Sequence, residues 1–214
     1  MERLSTGALA ARFMPSDAKP SQPDSGAEST GVSARTRILR GAARAFGRMG
    51  FGATSVETIL ADAGVSRRTF YRHFRSKEDV LRVLFESSVS MLIAAVRETE
   101  KLPGSASDRL DAAVEGYLRV HAEAGSLARV LLQEQFSPDS PLAQQRDAAM
   151  EAFRALIARG IEREGRPAVD PILLHGVVAG INQITVQMAV EHPEGDWDIP
   201  RAKAAVLRLL AALS

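Results

Sequence analysis

From Ser33 onward, apolar residues return every three or four positions, the spacing of one buried helix face after another. Ile38, Ala42, Ala45, Phe46 and Met49 predict a first helix, with Ser33 as its N-cap and Gly50 and Gly52 closing it. Val56, Ile59 and Leu60 predict a second, capped by Thr54 or Ser55, and Val65, Phe70 and Phe74 a third. A longer amphipathic stretch over 77–99 carries Val80, Leu81, Leu84, Phe85, Val89, Leu92 and Val96, and Lys101-Leu102-Pro103-Gly104 breaks it. Further helices are predicted over 108–124, 127–136, 141–164, 171–191 and 200–213, the last three with proline in the first turn, where no N–H is needed. No strand alternation and no repeat interrupts the series, so the expected class is all-α.

Residues 1–32 break the pattern. They are rich in Ser, Pro, Gly and Ala, bury too little apolar surface to offset their ordering entropy, and are expected to form a flexible tail. The expected organisation is therefore a tail over 1–32, a small helical unit over 33–80 and a larger one over 81–214.

Charge sharpens the division. The net charge is only +1, yet ten basic residues face four acidic ones between Gly31 and Val80, a balance of +6 that leaves −5 for the remainder. Such a block suits either a localised polyanion contact or a solvated helix face. The chain has no cysteine, which removes disulfides, thiolate zinc sites and a cysteine nucleophile. His73, His121, His175 and His192 are scattered without the i, i+4 pairing of a metal site, so no metal and no cofactor are expected. No apolar run is expected to approach the roughly 18 residues of a membrane span, and no secretory leader is evident, so a cytoplasmic location is expected.

The run from Thr54 to His73 gives the block a shape. Two short helices meet at Gly64, and the second carries arginine, hydroxyl and aromatic side chains, the layout of a helix-turn-helix whose second helix enters the DNA major groove. Ser66 is placed to cap that helix and leave Arg67, Arg68 and Thr69 at its N-terminal end. Arginine is the usual bidentate partner of guanine, and a threonine methyl packs on thymine. Thr54 and Ser55 offer hydroxyls to phosphate at the start of the second helix. Lys77, opening the next one, offers an ammonium near a positive helix end. Val65, Phe70 and Phe74 read as core. Arg72 and Arg75 fit a generic electrostatic role as well as a contact.

The string Ala63-Gly64-Val65-Ser66, continued by Tyr71-Arg72-His73-Phe74-Arg75-Ser76-Lys77-Glu78, resembles the TetR family of bacterial transcription regulators. The resemblance covers about 33–84 as sequence and extends beyond it only in the order of helix lengths. It implies that Tyr71 and His73 contact the backbone or groove edge, although His73 also fits a packed core histidine. Phe70 stands where the family often has leucine. The resemblance further implies a homodimer on a palindromic operator in double-stranded DNA, and a small-molecule effector held among the C-terminal helices.

The C-terminal residues add to that expectation. Gly176 and Gly180 lie four apart on one face of the 171–191 helix and would let another helix approach. With Ile184, Leu209 and Leu213, and flanking Leu173, Val177, Met188, Val206 and Leu210, they form the expected dimer face, alternatively part of the chain's own core. Met91, Tyr117, His121, Phe136, Phe153, His175 and Gln183 are the candidate effector-pocket residues, each of which fits plain core packing as well. Leu110, Val114, Tyr117 and His121 share a stripe that turns His121 inward.

The function expected is a sequence-specific DNA-binding repressor released by a small molecule. A DNA-organising protein without sequence preference is the alternative. An enzyme is not expected, since no phosphate loop, nucleophile elbow or metal pair is present and acids such as Glu134 and Asp147 lack a partner.

Overall fold

The computed structural model describes residues 32–137 and 139–213. The tail expected over 1–32 lies, but for Val32, outside them. Among the described residues there are nine α-helices and no strand: α1 (Ala34–Met49), α2 (Val56–Ala63), α3 (Arg67–His73), α4 (Lys77–Thr99), α5 (Ala106–Ala124), α6 (Ser126–Glu134), α7 (Ala143–Arg163), α8 (Pro171–Glu191) and α9 (Ile199–Ala211). The all-α reading holds.

Local chemistry places the boundaries. The side chains of Ser33, Ser55, Ser66, Ser76 and Ser105 each accept from a backbone N–H in the first turn of α1 to α5. Ser105 and Asp108 complete a capping box, which starts α5 two residues before the expected Asp108. Pro171 and Pro200 fall in the first turns of α8 and α9 as expected. Pro141 does not: α7 begins after Leu142, so this proline precedes the helix.

Three apolar cores organise the chain. The first joins Ile38, Leu39 and Phe46 of α1 to Ile59, Phe70, Leu81 and Leu84, and then runs on into Leu131 of α6 and Ala149 of α7. It therefore extends past Val80. The second gathers Val114, Leu118, Leu132, Met188, Trp197 and Val206, and the third Ile161, Leu174, Val177, Val178 and Leu213. The α1–α2 crossing is close enough that a Cβ on Gly41 would lie 2.7 Å from the Ala63 backbone nitrogen.

Contrary to the expectation that no apolar run would reach that length, helix α8 is long and apolar enough to cross a membrane by length and composition, and 33% of its 18-residue apolar window is buried inside the chain. Its buried residues, Leu174, Val177, Val178, Thr185, Met188 and Ala189, face the second and third cores. Ile172, Gly176, Gln183, Gln187 and Val190 fall along one side and are exposed.

Candidate functional site

The helix-turn-helix is built by three local devices. Gly64 closes α2 in the left-handed region (φ 62°), where a side chain would be strained, and its N–H donates to the Leu60 carbonyl. Ser66, two residues on, accepts from the Thr69 N–H at 3.1 Å and starts α3. Phe70 is fully buried and Phe74 nearly so, so α3 is pinned by one face and turns the other outward. That outward face carries Arg67, Arg68 and Tyr71, with Tyr71 51% exposed and packed edge-on against Phe70.

The expected DNA contacts differ in availability. Arg68 is exposed and makes no hydrogen bond or ion pair with any described residue. Arg67 is exposed but pairs with Glu57 of α2. Thr69 is half-buried, its hydroxyl 2.9 Å from that of Ser66, and Ser55 is an exposed cap on α2. His73 is exposed rather than packed in the core. Partial burial, then the Arg72 and Arg35 charges, lower its pKa and keep it neutral near pH 7.

Two expectations need correction. Thr54 is buried, and its hydroxyl donates to the Gly50 carbonyl at 2.7 Å, so it holds the α1–α2 turn instead of offering a hydroxyl to phosphate. Lys77 directs its ammonium at the carbonyls of Phe51, Gly52 and Thr54 (2.9, 3.2 and 2.8 Å) and lies 4.5 Å from the Phe51 ring centroid. Three acceptors match the three N–H bonds of an ammonium, so Lys77 ties α4 to the turn before α2 and has no donor left for a phosphate. The basic block is also partly neutralised from within, since Arg44 donates to the Asp62 carbonyl and Arg48 pairs with the Asp62 carboxylate at 2.9 Å.

The larger helices enclose a cavity of about 450 Å³ between α4, α5, α6, α7, α8 and α9. Its wall is mostly apolar, with Val89, Leu92, Val114, Leu156 and Ile181 among the contributors. The exposed lining residues Glu100, Leu110, Arg163 and Glu164 lie where the C-termini of α4 and α7 meet the start of α5. Arg109 and Arg166 line the same end, and Arg163 pairs with Glu100 across it at 2.6 Å.

Of the side chains expected in this pocket, Tyr117, His121 and Phe153 line it, with the Tyr117 ring 4.7 Å from His121 and 5.8 Å from Phe153. The other four do not. Met91 is one residue round α4 from the lining Leu92 and packs against the second core. Phe136 lies beyond the end of α6 and is 50% exposed. His175 is on the outer side of α8, its Nδ1 accepting from Arg154 at 3.1 Å, and Gln183 belongs to the exposed side of the same helix. Unforeseen were Gln135 and Asn182, both lining the cavity. Gln135 lies just past an apolar helix, and an isolated amide there was the available signal.

The residues expected at a dimer face also divide. Gly176 is open, with nothing near the place a Cβ would take, whereas at Gly180 that place is 3.1 Å from Leu209 of the same chain. Ile184 packs against the second core, and Leu213 is buried in the third and lines the cavity. Leu209 and Leu213 therefore serve the chain's own packing.

Two family descriptions match the chain: "Bacterial regulatory proteins, tetR family" over residues 38–84, and "Tetracyclin repressor-like, C-terminal domain" over residues 103–186. The chain belongs to the TetR family.

Among curated relatives, the HTH-type transcriptional regulator YerO of Bacillus subtilis is 33% identical over 67 residues, 31% of this chain and 23% of its own length. The transcriptional activator FasR of Mycolicibacterium smegmatis is 27% identical over 130 residues, 61% of this chain and 59% of its own. The chain thus spans less than two thirds of both. The fatty acid metabolism regulator of Bacillus subtilis is 24% identical over 181 residues, 82% of this chain and 93% of its own. The fold is shared with the Bacillus subtilis regulator FadR solved with stearoyl-CoA, at a TM-score of 0.68 and 21% identity over 83% of this chain and 98% of that one.

Proposed function

We propose that this TetR-family chain is a sequence-specific DNA-binding transcription regulator that represses from a palindromic operator and is released by a small molecule in its helical cavity. The observation that carries the first half is α3: one face fixed by Phe70, the other presenting an unpartnered Arg68 beside Thr69 and Tyr71. That is the arrangement of a recognition helix, with arginine for base edges and hydroxyls for backbone.

A palindrome calls for two copies. The exposed side of α8, with Ile172 82% exposed and Gly176 open, is the surface that suits a second copy of the same helix. This reading moves the dimer contact from Leu209 and Leu213 to the line Ile172, Gly176, Gln183, Gln187 and Val190.

The effector we assign is a long-chain acyl compound. The name of the fatty acid metabolism regulator and the stearoyl-CoA of the structural relative support this, as does a mostly apolar cavity with Arg109, Arg163 and Arg166 beside Glu100 and Glu164 at one end. Coupling follows from shared walls. Phe85, Leu131 and Ala149 line the cavity and also belong to the first core, which holds α3. A ligand that prefers another placement of α4 and α6 would change the spacing of two recognition helices, and only by as much as its affinities for the two states differ.

The test is competition between an operator fragment and random duplex at one salt concentration. Wild type should prefer the operator strongly, and Arg68→Ala should erode that preference by about 1–3 kcal/mol while leaving thermal stability unchanged. Equal competition by both duplexes would mean a DNA-organising protein. The name of the FasR relative favours activation as a second reading, and a promoter fusion that loses signal on deletion of the regulator would establish it.

A further inference from the structure

The cavity contains polar groups that a plain hydrocarbon chain cannot satisfy. His121 is 8% exposed, and its Nδ1 lies 3.0 Å from the Tyr117 backbone carbonyl. A carbonyl oxygen only accepts, so Nδ1 carries the proton and Nε2 is a bare acceptor. No described residue donates to it. The ring is held between Tyr117 and Trp197, nearly parallel to the latter (15°, 6.2 Å), and Trp197 is itself fixed by donating to the His192 carbonyl at 3.1 Å. Burial lowers the imidazole pKa to about 4, so the ring stays neutral near pH 7.

Two amides extend the pattern. Gln135 is only 4% exposed; its backbone is fully used, the N–H by Leu131 and the carbonyl by Arg146, but its side-chain amide has no partner among the described residues. Asn182 lines the cavity from α8, one turn before Thr185, whose hydroxyl lies 3.3 Å from that of Tyr117. The Asn182 amide likewise meets no described partner. Each of these groups loses hydration when an apolar molecule fills the cavity, and a hydrocarbon returns nothing.

We infer that the ligand is an oxygenated long-chain molecule whose chain hydroxyl donates to His121 Nε2, with the Gln135 and Asn182 amides meeting further oxygen atoms. This rests on the reading of the cavity as the effector site and narrows it from acyl chains in general to hydroxylated ones. A ketone or ester oxygen does not suit the His121 position, because two acceptors would face each other. The anionic end of such a molecule would lie towards Arg109, Arg163 and Arg166.

The experiment titrates the full chain with stearate and with its 2-, 3-, 10- and 12-hydroxy derivatives, by calorimetry or displacement of a fluorescent fatty acid. At least one hydroxy isomer should bind about tenfold or more tighter than stearate, and His121→Phe should remove that advantage, so that the variant binds the hydroxy acid no tighter than it binds stearate. Because His121→Phe could disturb folding, wild-type protein labelled with 15N-histidine gives an independent readout. The Nε2 resonance of His121 should shift with the preferred hydroxy acid and stay in place with stearate. Equal affinities across the panel, binding by none, or an unmoved Nε2 resonance overturns the inference. Operator binding by the same preparation is measured separately, so failure of the regulator reading is distinguishable from failure of the ligand preference.

Discussion

Lowering the pH should unfold this protein in a way that can be assigned to one side chain. His121 is buried with its pKa depressed to about 4, whereas in the unfolded chain it titrates near 6.5. Below pH 6.5 the unfolded state therefore takes up a proton that the native state refuses. Stability falls as the pH drops from about 6.5 to about 4, and no further loss from this group follows below that. The full difference is about 3 kcal/mol, and linkage places about 2 kcal/mol of it between pH 7.5 and pH 5. The assay is urea denaturation of ligand-free protein at both pH values and one protein concentration, for wild type and His121→Phe. Phenylalanine keeps a ring between Tyr117 and Trp197 but removes the titration. His73, also depressed, is common to both proteins and cancels in the comparison. The variant should lose about 2 kcal/mol less than wild type on acidification. An equal loss would refute the reasoning, since it would mean that His121 takes up its proton as readily in the folded protein as in the unfolded chain.

Two further outcomes follow from the helices of the N-terminal unit. Lys77→Met should destabilise the fold by about 2–3 kcal/mol in denaturant titration, because the carbonyls of Phe51, Gly52 and Thr54 lose a shared charged donor. It should leave the salt slope of DNA binding unchanged, whereas a phosphate contact would lower the slope by about one. Gly41→Ala should cost about 1–3 kcal/mol in thermal melts, because the new methyl meets the Ala63 backbone at 2.7 Å and backbone cannot swing aside.

The recognition module was legible in sequence because its determinants are local. Ser66 caps the helix that follows it, Gly64 turns the chain by its own φ, and Phe70 lies on a stripe set by the helical period. Arg68 faces outward for the same reason. Lys77 was misread because its partners are set by how the turn after α1 folds back on α4, and Thr54 because its hydroxyl turns back to the Gly50 carbonyl within that turn. A lysine opening a helix looks the same in sequence whether its ammonium meets a phosphate or three carbonyls 23 to 26 residues away.

The C-terminal half shows the same division more sharply. Helix lengths and buried stripes followed from apolar spacing, and the inward turn of His121 came from the stripe it shares with Tyr117. Which stripe would line a cavity, and which would be left for a second copy, did not follow. On α8, Gly180 meets Leu209 while Gly176, one turn earlier, meets nothing. Gln183 and Asn182 are neighbours in sequence, yet one is exposed and the other lines the cavity. The sequence by itself determined the all-α class, the helix-turn-helix and the outward face of α3, since caps, turns and helical periodicity act within a few residues. Only the tertiary structure decided the use of Lys77, the placing of His121 and Gln135 in one cavity wall, and the exposed side of α8. Those depend on the crossing of helices far apart in the chain, which residue spacing does not encode.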